Sequence, residues 1–230
     1  MNLESKQQLI RQQGGQQIVD MLEPFVTELR KSRIEKVLAG RLSSIQLAIE
    51  APVDINNALA AVRSAEAFGI SKVHLITPEG SAVHAVDITR GAIYWVEVVY
   101  HDSLAAFLQL MQKDNVQIAG AFPQAGITLA EVPITNSLCI LIGNELRGLS
   151  SAAQTACNIQ YKIPMVGMTE SLNLSVSAAI SLYELTLRKR AALGNLTDLS
   201  EMQYQDLKAL YYLNSVSSRL AVGVIKRSQS

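Results

Sequence analysis

Residues 159–187 read IQYKIPMVGMTESLNLSVSAAISLYELTL, and this stretch decides the fold. Ile159 to Ile163 alternates apolar and polar side chains, the period of a strand. Pro164-Met165-Val166-Gly167 ends it, because proline cannot donate to a ladder and glycine frees the backbone. A polar turn with Ser171 and Asn173 leads into a helix. Along it Val176, Ala179, Ile180, Tyr183 and Leu187 recur at helical spacing, and this stripe is the expected buried face. Open α/β sheets bind ligands at such irregular loops beyond the carboxyl ends of strands. Here the loop has an apolar rim of Met165, Val166 and Leu172. An ordinary strand–loop–helix connection with a serine cap has the same pattern, so the loop alone leaves both readings open.

Upstream, Ser137 to Gly143 is a near-continuous apolar run, as expected of a strand covered on both faces. It ends in Gly143-Asn144-Glu145-Leu146-Arg147-Gly148-Leu149-Ser150 before a helix to about Cys157, which Ser150 could cap. A strand over 116–122 ends with Gly120 and Ala121. A helix is predicted over 103–113 with a stripe of Leu104, Phe107, Leu108 and Met111. Strands are predicted at 45–49, 72–77 and 95–100, and a helix at 57–68 with Asn57 as a possible N-cap and Arg63 as a surface charge.

Residues 4–39 read as helical, with Ile18, Leu22, Phe25, Val26 and Leu29 on one stripe, a break at Gly14-Gly15 and a bend at Pro24. Beyond 194 a further stripe holds Leu207, Leu210 and Tyr211. The expected organisation is a helical extension over 1–42, one α/β domain over 43–194 and a second helical extension over 195–230. The chain shows no internal repeat, no low-complexity linker and no second domain.

With 49% apolar and 17% charged residues in a chain of 230, a disordered protein is excluded. No apolar run reaches the roughly 18 residues of a membrane span, and the start, MNLESKQQLIRQQGGQQ, is too polar for a secretory signal. A soluble, cytoplasmic protein with no membrane partner is expected. Cys139 and Cys157 form no CxxC, and Cys139 lies in an apolar run as a buried core residue. Without HExxH, CxxC or a clustered His/Asp pattern, no metal is expected. His74, His84 and His101 lack companions and receive no role. There is no GxGxxG, so the dinucleotide fingerprint is missing.

Formal charge is zero, with 20 basic and 20 acidic residues, which argues against a generic nucleic-acid binder. Local clusters stand out at Arg30-Lys31-Ser32-Arg33 with Lys36 and Arg41, at Arg188-Lys189-Arg190 and at Lys226-Arg227. The three cations at 188–190 read as complementing a helix end without any partner.

Three segments carry a resemblance. IPMVGMTESLNLSVSAAI resembles the third signature motif of the SpoU-TrmH branch of the SPOUT methyltransferases. Gly143-Asn144-Glu145 followed by Gly148-Leu149-Ser150 resembles the second. Asn57, Arg63, Phe68 and Gly69 occupy the places of the first, although Ala58-Leu59 stands where the family usually has Val-Gly or Val-Ser. The motifs occur in family order over residues 57–177.

This resemblance implies a SPOUT-type parallel sheet flanked by helices, with a deep trefoil knot over about 117–187. It implies S-adenosyl-L-methionine as methyl donor, S-adenosyl-L-homocysteine as product, and a ribose 2′-hydroxyl of RNA as acceptor. The expected substrate is tRNA, at guanosine 18 of the D-loop. The alternatives are an rRNA or other-position ribose methyltransferase and, from a different class, a catalytically inactive knotted RNA-binding protein. An unrelated α/β nucleotide-binding protein is disfavoured by the missing phosphate loop.

By the same resemblance Ala121, Gly143, Ile163, Met165 and Leu172 bind the cofactor, with Gly143 letting it approach the backbone. Arg41 acts at the reacting ribose, Ser171 and Asn173 hold the ribose or Arg41, Glu145 anchors the polar network and Asn57 fixes the loop. Arg63 binds a phosphate or supports the dimer, and further RNA contacts are expected at Arg33 and Lys36. Family enzymes are homodimers packed through the knot, so one subunit's Arg41 could serve its partner's site.

Overall fold

The computed structural model describes residues 3–77 and 91–227, and His84 lies outside them. Two compact units emerge, Met1–Arg41 with Thr197–Ser230, and Leu42–Leu196. The chain begins with α1 (Leu3–Gln13), α2 (Gly15–Leu22) and α3 (Glu28–Leu38). The central unit then runs β1 (Ile45–Glu50), α4 (Ile55–Ala67), β2 (Lys72–Ile76), β3 (Glu97–His101), α5 (Leu104–Lys113), β4 (Gln117–Ala121) and β5 (Ile127–Thr128). It continues through β6 (Leu138–Ile142), α6 (Ser151–Ala156), β7 (Ile159–Lys162) and α7 (Leu174–Leu193), and α8 (Glu201–Ser215) and α9 (Ser218–Arg227) end the chain.

Among the described residues the sheet has seven strands in the order β3-β2-β1-β6-β4-β7-β5. Every pairing is parallel. Parallel strands need crossovers that cover both faces, and the core divides accordingly. On one face Leu47, Ile49, Val73 and Ile140 pack with Ala58, Ala61 and Val62 of α4 and Ala178, Leu182 and Leu185 of α7. On the other, Ala48, Ile118, Cys139 and Leu141 pack with Phe107 and Met111 of α5 and Ala153 of α6.

Several expectations shift. The stripe proposed as the buried face of α7 is its exposed one: Val176, Ile180, Tyr183 and Leu187 face outward, Tyr183 at 56%. Leu174, Ala178, Leu182 and Leu185 fill the core instead. Both faces of this helix are apolar, so helical spacing alone could not choose between them. Helix α4 starts at Ile55 rather than Asn57, because the Asp54 side chain accepts the Asn56 amide and takes the N-cap. Strand β3 begins at Glu97, after Trp95 closes a 3₁₀ turn over Ala92–Tyr94.

The cations of 188–190 do have partners. Arg188 donates to the carbonyls of Leu129 and Val132, buried Lys189 to that of Ile134, and Arg190 to that of Phe68. Burying a charge demands such hydrogen bonds. Those of Arg188 and Lys189 tie α7 to the segment between β5 and β6, and that of Arg190 ties it to the end of α4.

In the terminal unit Ile18, Leu22, Ile34 and Leu38 are buried, as are Leu210, Tyr211 and Leu213 of α8. Pro24 lies in the first turn of a 3₁₀ segment over Glu23–Phe25 that separates α2 from α3. That turn carries Phe25 and Leu29 off the apolar stripe and into solvent.

Candidate active site

The carboxyl ends of the adjacent strands β6, β4 and β7 release three loops around one cavity of about 340 Å³. Its lining includes Ala121 to Gln124, Ile142 to Leu149, and Ile163, Met165, Ser171 and Leu172. All five residues expected to bind a cofactor therefore meet here, together with Glu145 and Ser171.

The β6–α6 loop turns back on itself. The Asn144 amide donates to the Gly148 carbonyl at 3.0 Å and the Gly148 amide to that of Asn144 at 2.8 Å. Gly148 supports this with φ +68, a conformation that L side chains rarely adopt. A Cβ on Gly143 would collide with the backbone of Gly148 and Leu149. The bare Cα of Gly143 thus serves the return of its own loop.

The loop is also fastened to the β1–α4 connection. Glu145 Oε2 accepts the Val53 amide at 2.8 Å, and Oε1 accepts Asn57 Nδ2 at 3.1 Å. Asn144 Nδ2 donates to the carbonyl of Ala51, a non-glycine residue at φ 43. Buried Glu50 takes the Ser150 amide at 2.9 Å and the Ser150 hydroxyl at 2.6 Å. Ser150 in turn caps α6 by accepting the Ala153 amide. Glu50 carries no sequence motif; its position at the end of β1, beside β6, is the only signal that could have found it.

Asn57 also accepts Asn173 Nδ2 at 3.1 Å. Asn173 caps α7, its Oδ1 taking the Ser175 amide at 2.8 Å and hydroxyl at 2.7 Å. The cap expected of a serine is thus an asparagine. Glu145, Asn57 and Asn173 form one chain of hydrogen bonds that fixes both amide orientations. Burial pushes the Glu145 carboxyl up, but the hydrogen bonds from Val53, its own backbone and Asn57 outweigh it. They hold Glu145 below the usual carboxylate range, so it is an ionised acceptor at neutral pH.

Arg41 is placed differently. It belongs to the terminal unit, is wholly buried, and donates from Nε to the Tyr211 hydroxyl at 2.9 Å. Its carbonyl accepts the Thr197 hydroxyl. Arg63, on the exposed side of α4, and Arg33 and Lys36 on α3 are open to solvent.

Sequence reading missed the pairing of His74 and His101. Both are buried on neighbouring strands, His74 Nδ1 lying 2.9 Å from His101 Nε2 and His74 Nε2 lying 2.8 Å from Gln46 Oε1. Because Gln46 Oε1 only accepts, His74 carries its proton on Nε2 and accepts from His101 at Nδ1. Burial drives the His74 pKa down to about 3, and burial lowers that of His101 as well.

The sequence model of the SpoU rRNA Methylase family matches residues 44–183. A tRNA (guanosine(18)-2′-O)-methyltransferase of Borreliella burgdorferi is 31% identical over 201 residues, 87% of this chain and 92% of that protein. A 23S rRNA (guanosine-2′-O-)-methyltransferase RlmB of Coxiella burnetii is 30% identical over 72% of this chain and 68% of that protein. The crystal structure of the A. aeolicus TrmH/SpoU tRNA modifying enzyme superposes with a TM-score of 0.73 at 29% identity, covering 83% of this chain and 98% of that one.

Proposed function

The chain belongs to the SpoU family of RNA 2′-O-ribose methyltransferases, and from that premise we propose that it methylates tRNA at guanosine 18 of the D-loop. The observation that carries the substrate is coverage. Likeness to the Borreliella tRNA enzyme extends over 87% of this chain, beyond the family segment of 44–183 and into the terminal helices. Likeness to the Coxiella rRNA enzyme, over 72%, keeps rRNA as the second reading.

The site fits S-adenosylmethionine. Its cavity of about 340 Å³ lies within the range of small-molecule sites, and Ala121, Gly143, Ile163, Met165 and Leu172 are among its lining. When bound, the cofactor supplies an electrophilic methyl group. The trefoil threading of 117–187 belongs to the same reading. Its support is that β6 lies between β1 and β4, while α7 is tied by Arg188 and Lys189 to the carbonyls of 129–134.

A ribose hydroxyl reacts only when it is oriented and its developing charge is met by fixed donors. Both oxygens of Glu145 are engaged, so its carboxylate acts as an anchor rather than a base. It orients Asn57, which orients Asn173. An amide nitrogen carries two protons, so Asn173 Nδ2 keeps one to offer a ribose oxygen; Asn173 itself is not a lining residue but follows Leu172, and Ser171 offers a hydroxyl from the lining.

The wholly buried guanidinium of Arg41 holds the terminal helices through Tyr211. The exposed Arg63, on the helix that presents Asn57, is offered to RNA. Arg33 and Lys36 provide phosphate contacts.

The outward stripe of Val176, Ile180, Tyr183 and Leu187 is the homodimer contact, since exposed apolar surface of this extent marks an interface. The deciding experiment is methyl transfer to unmodified tRNA and to rRNA with mapping of the product. Label at guanosine 18 is expected; label confined to rRNA sinks the tRNA assignment.

A further inference from the structure

Arg147 is the one cationic side chain among the residues lining the cavity, and Glu145 the one acidic. Glu145 is engaged by Val53 and Asn57. Among the described residues the Arg147 guanidinium makes no ion pair or hydrogen bond. Its backbone is nevertheless fixed. The loop that carries it is closed by the Asn144–Gly148 bridge, and Asn144 Oδ1 accepts the amides of both Leu146 and Arg147. Beside it Leu146 stands 81% exposed at the tip.

Arg33, Lys36 and Arg63 are likewise exposed, but none of them lines the cavity, and other cations are engaged by the fold. Arg188, Lys189 and Arg190 serve carbonyl groups, and Arg41 is buried against Tyr211. A protein with zero net charge that handles a polyanion must attract it with particular uncompensated cations. A guanidinium held on a rigid tip at the rim of the cavity suits a phosphate, which it can meet with two parallel N–H donors.

Building on the RNA methyltransferase reading, we propose that Arg147 binds a phosphate of the nucleotide being methylated and so seats its ribose at the mouth of the cavity, with Leu146 against the sugar or base. The cofactor's carboxylate is an anion of related chemistry. The rim position beside an outward-facing Leu146, rather than the floor at Ile142 and Gly143, favours the RNA.

The test compares wild type with Arg147→Ala and Arg147→Lys. Binding of labelled, unmodified tRNA transcript is titrated across salt concentrations, and S-adenosylhomocysteine is titrated by calorimetry. For Arg147→Ala we expect roughly tenfold weaker RNA binding and a salt slope reduced by about 0.7–0.9, the signature of one lost phosphate contact. Cofactor-product affinity should stay within about twofold, and Arg147→Lys should restore the slope. A loss of S-adenosylhomocysteine affinity with an unchanged salt slope would assign the guanidinium to the cofactor and overturn the proposal. An unchanged slope and unchanged affinity would overturn it as well. Wild type binding neither RNA nor S-adenosylhomocysteine would defeat the methyltransferase reading itself, a separate result.

Discussion

Of the three loops around the cavity, those after β6 and β7 are built in opposite ways. The β6–α6 loop over 143–150 is bridged internally and fastened to the β1–α4 connection through Asn144, Glu145 and Ser150. The β7–α7 loop over 164–172 makes no hydrogen bond among the described residues, and it turns Val166 and Met168 fully into solvent. One wall is therefore organised before any ligand arrives. The other has little but apolar side chains to hold it, so its order must come from what binds it. Preorganised donors belong on the first kind of wall; surfaces that close on a ligand or partner belong on the second.

The largest effect should follow from cutting the fastened wall loose. Glu145→Ala removes the acceptor of the Val53 amide and of Asn57, and through Asn57 it frees Asn173. We expect methyl transfer to fall by about a hundredfold or more, the scale of losing an oriented donor set. A variant within threefold of wild type would mean that catalysis does not depend on this wall.

The open wall continues into the exposed stripe of α7. If the proposed homodimer packs through it, Ile180→Glu and Tyr183→Glu should leave the 25.0 kDa monomer on light scattering and lower activity on the order of 30-fold, as expected when an interface anchor is lost. A wild type that is already monomeric while active would separate the stripe from function.

The same helix shows where sequence reading stops. Most strand positions and the loops at their ends were legible because period and turn chemistry are local; the two-residue β5 was not foreseen, and the motif residues were read by resemblance alone. The buried face of α7 was not. Leu174, Ala178 and Leu182 lie on one side and Val176, Ile180 and Tyr183 on the other, and both sides satisfy helical spacing. Arg41 stands near the motif region in sequence, but its burial depends on Tyr211, which lies 170 positions away. The histidine pair required the register that sets His74 beside Val99 and Ile76 beside His101.

Hydrogen exchange gives an intermediate effect. Saturating S-adenosylhomocysteine should slow exchange over 163–172 by about tenfold while changing 144–150 far less, since only the unfastened loop has order to gain. Equal protection of both loops would erase the distinction between them.

Acid separates the two walls most finely, once a background is removed. His74 and His101 face one another, with Gln46 on β1, Phe107 on α5, and the charges of Lys72 and Asp102 nearby. The folded His74 pKa, about 3, lies below its ordinary value, so the unfolded chain binds the extra proton. Stability is therefore complete above about pH 6.5 and declines as pH falls toward 3, by up to about 1.4 kcal/mol per pH unit for each such proton. Glutamine at position 74 can donate to Gln46 and accept from His101, so His74→Gln should keep both hydrogen bonds. In urea unfolding between pH 5 and pH 7 its stability should slope less steeply than wild type by about one proton. Identical slopes would show that His74 does not titrate as its burial requires. In this variant any further acid loss in cofactor binding reports the fastened wall. Because the Glu145 carboxyl is held below its ordinary range, that loss should begin only as pH falls beneath the usual carboxylate value, and an onset near pH 6 would point to a different group.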